Sequence, residues 1–489
     1  MYDFFKNISE KNSCTFSGAC SIHPSINALY LIILNEIREI SSYLVKLKAF
    51  DIVDLEAQKL SIDGLSIFLI NTSYNQKKYL EFVKNLFIAK ARVKEKYINH
   101  CSNNNLPCEL LRANFEYSDK MTISELIEYS QSSFINKQKN ADKTKQRLFE
   151  LITIFSRLCA IEITKIKKLD KDFDEFDYEV LRFFALSTGY SIRNEKIKRR
   201  IYEFADFSLR ISQKLSSIYQ ENYGYKESAN TKTSLLDGHC ILVSGDDLDE
   251  LDGLLKAIEK YDSKKDINVY THGPLFLAHF YPHFKRNKFL KGHFGADNAE
   301  YDFSVFQGAI LITQNFIQKI DSLYRGEIFS KKLISFSKVF DIVDDNYLPV
   351  IEAALALDGC KKEKISTKIN IDYDRQKIKK FIETTSATEV VVVSGIIDDK
   401  ENLEKSINKK IVEISCSLEG DILIESINKL KEKGIKITLF LTQCNLSNLG
   451  LLLSLLNQDI SLNIANCPHA LINPHVIESL KEDFKVNII

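Results

Sequence analysis

The stretch ILVSGDDLDELDGLLKAIE, residues 241–259, decides the fold. It opens on a short apolar run at 241–244, breaks at Gly245 and Asp246, and continues as an amphipathic helical stretch over 247–261. The same rhythm of strand, turn and helix recurs to the end of the chain. β-Branched runs stand at 267–270, 309–313, 390–394, 411–415, 437–441 and 462–465, and further amphipathic stretches at 422–433 and 473–484. Near-continuous apolar strands joined by helical crossovers predict parallel sheets covered on both faces.

A Lys-rich stretch, 361–368, separates an Ala/Leu-rich helix at 350–357 from the next unit, so two Rossmann-like α/β domains are expected, 233–368 and 369–489. Upstream the period changes. Ile26, Leu29, Ile32, Ile33, Ile37, Ile40 and Leu44 recur at helical spacing, as do apolar positions in 123–135, 148–166 and 197–219. Residues 1–232 therefore read as an N-terminal cysteine segment followed by helical bundles.

Composition narrows the function classes. The 66 Lys and Arg against 66 Asp and Glu give zero net charge, which argues against a protein built to grip a phosphate backbone. With 45% hydrophobic residues, 17 Gly and 7 Pro, a long disordered chain is excluded. No apolar leader and no run near the ~20 apolar residues of a membrane span occur. The expectation is a soluble, reduced, cytoplasmic protein whose ten cysteines are thiols or metal ligands rather than a disulfide frame. No P-loop, GxGxxG or nucleophile–base motif appears, so no nucleotide cofactor is expected.

Ligands in such sheets sit beyond the carboxyl ends of the strands. Those ends carry Asp246, then Thr271, His272, Gly273 and Pro274, then Gln314, Asn315 and Phe316. In the last domain they carry Cys416, Cys444 and Cys467, a convergence that suits either a thiolate metal site or small residues packed at buried strand tips. His279 and His283 have a spacing that can face one way on a helix, with His272 and His293 nearby and His469 and His475 flanking a later loop. Asp246 and Asp247 stand where a helix begins, so capping accounts for them without a ligand role. The basic run 193–200 reads as a solvated helix face.

These strand-end segments carry a resemblance. ILVSGDDLDELDGLLKAIE (241–259), INVYTHGPLFLAHFYPHFKRNKFLKGHFG (267–295) and FQGAILITQNFI (306–317) resemble the hybrid cluster protein family, the prismane proteins or hydroxylamine reductases. NIANCPHALINPHVIESLKEDFKV (463–486), YLPVIEAAL (347–355) and SCTFSGAC (13–20) are similar to its closing strand and helix, its inter-domain helix and its N-terminal cysteine segment. The resemblance implies a prismane-like fold, a cubane iron–sulfur cluster near the N-terminus, and an iron–sulfur–oxygen hybrid cluster where the domains meet. It also implies reduction of hydroxylamine and nitric oxide.

Carried over residue by residue, the resemblance implies a depleted ligand set. Cys14 and Cys20 fit the second cysteine pair of the cubane, while the first pair falls on Tyr2 and Phe5. The hybrid-cluster histidine falls on Asp246, a glutamate on Pro274, one cysteine on Phe316, and the sulfur-carrying cysteine near Ile396 or Ile397. Cys416 and Cys444 keep ligand positions, and one strand–helix unit that would bring the last glutamate is missing, which shortens the second domain. Cys416, Cys444 and Asp246 are thus the cofactor-binding candidates, and Cys14 and Cys20 the metal-binding ones. The preferred expectation is a cluster-deficient pseudoenzyme that acts by binding or as a partner subunit beside an intact paralogue, without nucleic acid or membrane. The alternative is an oxidoreductase with a rearranged iron–sulfur or other metal site on Cys416, Cys444 and perhaps Cys467, completed by Asp246 or His272. A third reading is a small-molecule binder using a small apolar cavity lined by Phe316, Ile396 and Ile397.

Overall fold

The computed structural model describes residues 24–67, 76–110, 121–126, 128–130, 142–188, 191–261, 266–295, 299–313, 324, 326–331, 339–362, 368–371, 375–394, 404–405, 407–414, 420–441, 453, 461–464, 479–484 and 487–488. The upstream periodicity folds as a helical layer: α1 (Pro24–Lys48), α2 (Leu55–Ser66), α3 (Gln76–Asn103), α4 (Lys143–Leu169), α5 (Asp177–Phe184) and α6 (Asn194–Tyr223). In α1 the striped positions Ile33, Ile37, Ile40 and Leu44 are all buried. Asp54 starts α2, accepting from Ala57 N at 2.9 Å and binding Arg92 and Lys96 of α3 at 2.9 and 2.7 Å. One carboxylate thereby caps one helix and pins another.

Two parallel sheets follow. The first runs through β2 (His239–Ser244), α7 (Leu248–Lys260), β3 (Ile267–His272), α8 (Pro282–Lys285), β4 (Leu290–His293), α9 (Ala299–Val305), β5 (Ala309–Ile312), β6 (Ile328–Ser330), β7 (Val339–Asp341) and α10 (Leu348–Ala356). Its strand order is β4-β3-β2-β5-β6-β7, so the chain starts in the middle, winds one way and returns to wind the other. The second contains α11 (Arg375–Thr384), β9 (Glu389–Ser394), β10 (Lys410–Ile414), α12 (Gly420–Glu432), β11 (Lys436–Leu441), β12 (Ser461–Ile464) and β13 (Asn487–Ile488), in the order β10-β9-β11-β12-β13. A two-stranded antiparallel ladder of β1 (Ala229–Lys232) with β8 (Lys368–Ile371) joins the chain entering the first sheet to the chain leaving it.

The central strand shows why its sequence is apolar without alternation. Ile241 and Val243 pack with Leu251, Leu254 and Leu255 of α7 and Val350 of α10. The intervening Cys240 and Leu242 pack into a separate core with Tyr270, Phe303, Phe306 and Tyr324. Both faces are covered, as the uninterrupted run requires.

One expectation is corrected here. Cys240 and Cys360 are joined in a buried disulfide rather than left as thiols. The cause is the neck of the first sheet: Gly238 and Cys360 exchange backbone hydrogen bonds of 3.1 and 2.8 Å, which brings the entering and leaving segments side by side. Gly359 makes the approach feasible, since at φ +82° it takes a left-handed conformation and a Cβ there would lie 2.3 Å from Gly238 O.

Helix α4 ties the layers together. Near its start, Arg147 binds Asp483 through two nitrogens at 3.1 and 3.0 Å; near its end, Lys165 and Lys168 reach the first sheet. At 27 residues it spans about 40 Å. Replacing Arg147 with Ala removes the cation from a carboxylate that is only 6% exposed and leaves it the Ser479 hydroxyl. Hydrogen exchange at 479–484 is expected to quicken in that variant while the β2 amides stay protected. Equal quickening in both would contradict the strut.

Candidate functional site

The ligand crevice of an open parallel sheet lies where winding reverses, beyond the carboxyl ends of the flanking strands. In the first sheet those strands are β2 and β5. Thr313, just after β5, stitches the two exits. Its amide donates to Ser244 O at 2.8 Å, and its hydroxyl donates to the same carbonyl at 3.1 Å while accepting from Asp247 N at 3.3 Å. Asp247 is the N-cap of α7, accepting from Glu250 N at 3.3 Å. The capping expectation therefore holds for Asp247 and not for Asp246.

Asp246 is engaged from outside the sheet. Lys165 and Lys168, one turn apart on α4, enter the crevice together. The Lys165 ammonium donates to Asp246 Oδ2; that of Lys168 donates to Asp247 Oδ2 and, at 3.1 Å, to Glu250 Oε1. Asp247 and Glu250 are nearly fully buried, and Asp246 keeps 24% of its side-chain surface. Burial disfavours the Lys168 ammonium, but the charges of Asp247 and Glu250 and their hydrogen bonds outweigh it and hold Lys168 above the usual lysine range. Tyr219 and Tyr223 of α6 lie beside this cluster. Burial, then the neighbouring carboxylates, push both phenols up, so they stay neutral. Asp246 Oδ1 is a buried atom with no hydrogen-bond partner among the described residues.

Two imidazole relays sit one strand over. His272 Nε2 faces Asp302 Oδ2 at 3.2 Å and its Nδ1 faces Ser244 Oγ at 2.9 Å. A carboxylate only accepts, so Nε2 carries a proton and donates to Asp302. Gly295 permits this: at φ +79°, a Cβ there would stand 2.5 Å from Asp302 Oδ2 and 2.9 Å from His272 Cδ2. Thr271 Oγ1 joins His279 Nε2 at 2.8 Å and His293 Nδ1 at 2.9 Å and lies 3.5 Å from Gly292 O; with one hydroxyl proton to give, it accepts from at least one of the two imidazoles. Burial pushes His279 down to about 4. Burial, with His279 and His272 adding to it, pushes His293 down to about 3.

His279 and His283 do not share a helix face. A 3-10 helix, Gly273–Phe280, ends at extended Tyr281, and Pro282 starts the separate α8. His279 turns inward to Thr271, whereas His283 binds Asp252 Oδ1 at 2.6 Å on α7. Pro274 lies in the first turn of that 3-10 helix. Among the described residues no three His, Cys, Asp or Glu side chains converge as a metal site. Cys14, Cys20, Phe316, Ile396, Ile397, Cys416, Cys444, Cys467, His469 and His475 lie outside the described residues. The basic run at 193–200 pairs Arg199 and Arg200 with Glu203, as a solvated face does. Sequence reasoning missed Lys165, Lys168 and Asp302. The i,i+3 spacing of the lysines was visible, but nothing in it points to a turn 81 residues away.

The sequence matches the Prismane/CO dehydrogenase family over residues 7–448. A hydroxylamine reductase of Methanocella arvoryzae is 25% identical over 376 residues, which cover 75% of this chain and 66% of that protein. One from Kosmotoga olearia is 27% identical over 402 residues, covering 78% of this chain and 71% of that protein. Among solved structures, the alpha subunit of acetyl-CoA synthase/carbon monoxide dehydrogenase aligns over 96% of this chain and 81% of its own, with a TM-score of 0.46 and 8% identity. Among the described residues no helix is long and apolar enough to cross a membrane.

Two outcomes are expected of the crevice. Lys168→Met removes the ammonium that faces two buried carboxylates and is expected to cost about 3–5 kcal/mol in chemical denaturation. Lys165→Met, beside a more exposed partner, costs less. Equal losses below about 1 kcal/mol would mean that the ion pairs do not hold α4 to the sheet.

Stability should also fall with acid. Between about pH 6.5 and the depressed native values of about 4 and about 3, the unfolded chain protonates histidines that the native state keeps neutral. Glu36 runs the other way. Burial, only partly offset by Lys90, raises it to about 7, so its contribution is complete below about 4.5 and lost as pH rises toward 7. Comparison with His279→Gln isolates the histidines: the variant's melting temperature is expected to drop less between pH 6.5 and pH 4. An unchanged drop would remove His279 from the explanation.

Proposed function

Since the chain belongs to the Prismane/CO dehydrogenase family, we propose that it is a divergent relative of the hydroxylamine reductases that keeps their scaffold without hybrid-cluster catalysis. It acts by binding, or as a partner subunit beside an intact paralogue. The observation that carries this reading is the Lys165–Asp246 pair. The family resemblance implies an imidazole ligand to a soft iron–sulfur centre at position 246. Here a carboxylate stands there, and a lysine from α4 already neutralises it.

The donor set at this end of the sheet points the same way. Pro274 offers no side-chain donor where the resemblance implies a carboxylate, and a lone carboxylate favours hard cations over a thiolate- and sulfide-bridged cluster. The residues do not fit the family's hybrid cluster, so no reaction step is assigned through it. The ammonium of Lys165 instead supplies the positive charge facing Asp246.

A second reading rests on one observation, the unpartnered Asp246 Oδ1. A carboxylate oxygen of that kind can complete a smaller site with the thiolates of Cys416 and Cys444, in which case the chain is an oxidoreductase with a rearranged metal centre. Iron, zinc and acid-labile sulfide, measured per chain on anaerobically purified protein alongside its visible spectrum, separate the two. A folded chain with only trace metal and sulfide is expected. Stoichiometric iron with a sulfide-to-iron charge-transfer band, lost in Cys416→Ser and Cys444→Ser, would overturn the first reading in favour of the second.

A further inference from the structure

Helix α3 ends at Asn103, and Asn105, at φ +52°, turns the chain back along it. Leu106 N donates to Cys101 O at 2.9 Å, and Glu109 N donates to the Tyr97 hydroxyl at 3.3 Å. Lys46 of α1 clamps the returning segment: its ammonium donates to Glu109 O, lies 3.6 Å from the Glu109 carboxylate and sits over the Tyr97 ring at 5.3 Å. This folded-back turn sets Cys108 against the last turns of the helix, with its Sγ 4.0 Å from Ile98 O, one helical turn before Cys101. Cys101 is 1% exposed, whereas Cys108 is exposed.

One accessible thiol folded back onto the helix turn that carries one sheltered thiol, in a turn held by hydrogen bonds that do not involve sulfur, suits an attacking and a resolving cysteine. We propose that Cys101 and Cys108 are a reversible thiol–disulfide pair oxidised by hydroperoxides. The Cys108 thiolate attacks the terminal peroxide oxygen, the O–O bond breaks, and Cys108 sulfenic acid and an alcohol (or water) result. Cys101 sulfur then attacks the sulfenyl sulfur; the S–S bond forms, the S–O bond breaks, and hydroxide leaves as water with the Cys101 proton. Two thiols lose two electrons and the peroxide gains them. A thiol reductant reverses the step by exchange at the exposed sulfur.

The remaining described cysteines do not share this arrangement. Cys240 and Cys360 are already bonded, and Cys159 is buried, with burial holding its thiol well above the usual range. The neighbouring Cys101 thiol raises the Cys108 thiol, and the nearby Lys46 charge pulls it back only in part, so oxidation should quicken as pH rises above neutral.

The test treats the reduced full-length chain with hydrogen peroxide, in the presence and absence of the sulfenic-acid trap dimedone, and reads peptides by mass spectrometry. In the unaltered chain a Cys101–Cys108 cross-linked peptide is expected, with Cys159 unmodified. In Cys101→Ser, and equally in Cys101→Ala, Cys108 is expected to accumulate as the dimedone adduct. In Cys108→Ser, Cys101 is expected to stay a free thiol. The proposal is overturned if no cross-linked peptide forms in the unaltered chain. It is also overturned if Cys108 there is trapped as fully as in the Cys101 variants, since Cys101 would then resolve nothing.

Discussion

Helix α4 buries a cationic side chain near each end against a carboxylate from a different part of the fold, and much of the arrangement follows from that. Arg147 meets Asp483 near the C-terminus of the chain; Lys165 and Lys168 meet Asp246, Asp247 and Glu250 at the exit of β2. Hydrophobic burial makes each layer but is indifferent to how layers are rotated against one another. Charged pairs largely out of water are not indifferent, because separating them leaves uncompensated charge in a low-dielectric setting. The strand-end crevice is therefore shaped by a helix that arrives with its lysines already committed.

That commitment gives the crevice its chemical character. Its carboxylates are neutralised by ammonium groups, its phenols are held neutral, and the neighbouring imidazoles are bound to serine, threonine and aspartate side chains. Each relay is tightly specified: Gly295 leaves room for Asp302 to reach His272, and Thr271 bridges two histidines at once. Groups arranged in this way favour a fixed polar interior over open coordination positions.

The long elements were legible in sequence for a direct reason. A strand buried on both faces cannot alternate, so the apolar runs that became β2, β3, β5, β9, β10, β11 and β12 could be read without knowing their neighbours. Short edge strands such as β4, with Lys291 and Gly292 among its four residues, carry no such signal. Gly292 is there because a Cβ would meet Lys232 O at 2.3 Å, a contact between strands far apart in sequence. The site was less legible than the fold. Asp246 was identified as a position, but its partner lies on a helix whose lysines look like any solvated face. The Cys240–Cys360 bond depends on a neck that only the pairing of Gly238 with Cys360 creates. The break at Tyr281, which turns His279 and His283 apart, is set by Pro282 and by the inward pull of Thr271.

The most direct measurement is a crystal structure of anaerobically grown crystals with diffraction recorded at the iron absorption edge. Continuous density from the Lys165 ammonium to the Asp246 carboxylate, with no anomalous peak in the crevice, is the expected result. An iron peak there, with Asp246 turned away from Lys165 to ligate it, would contradict the reading of this crevice as an ion-paired remnant of a cluster site.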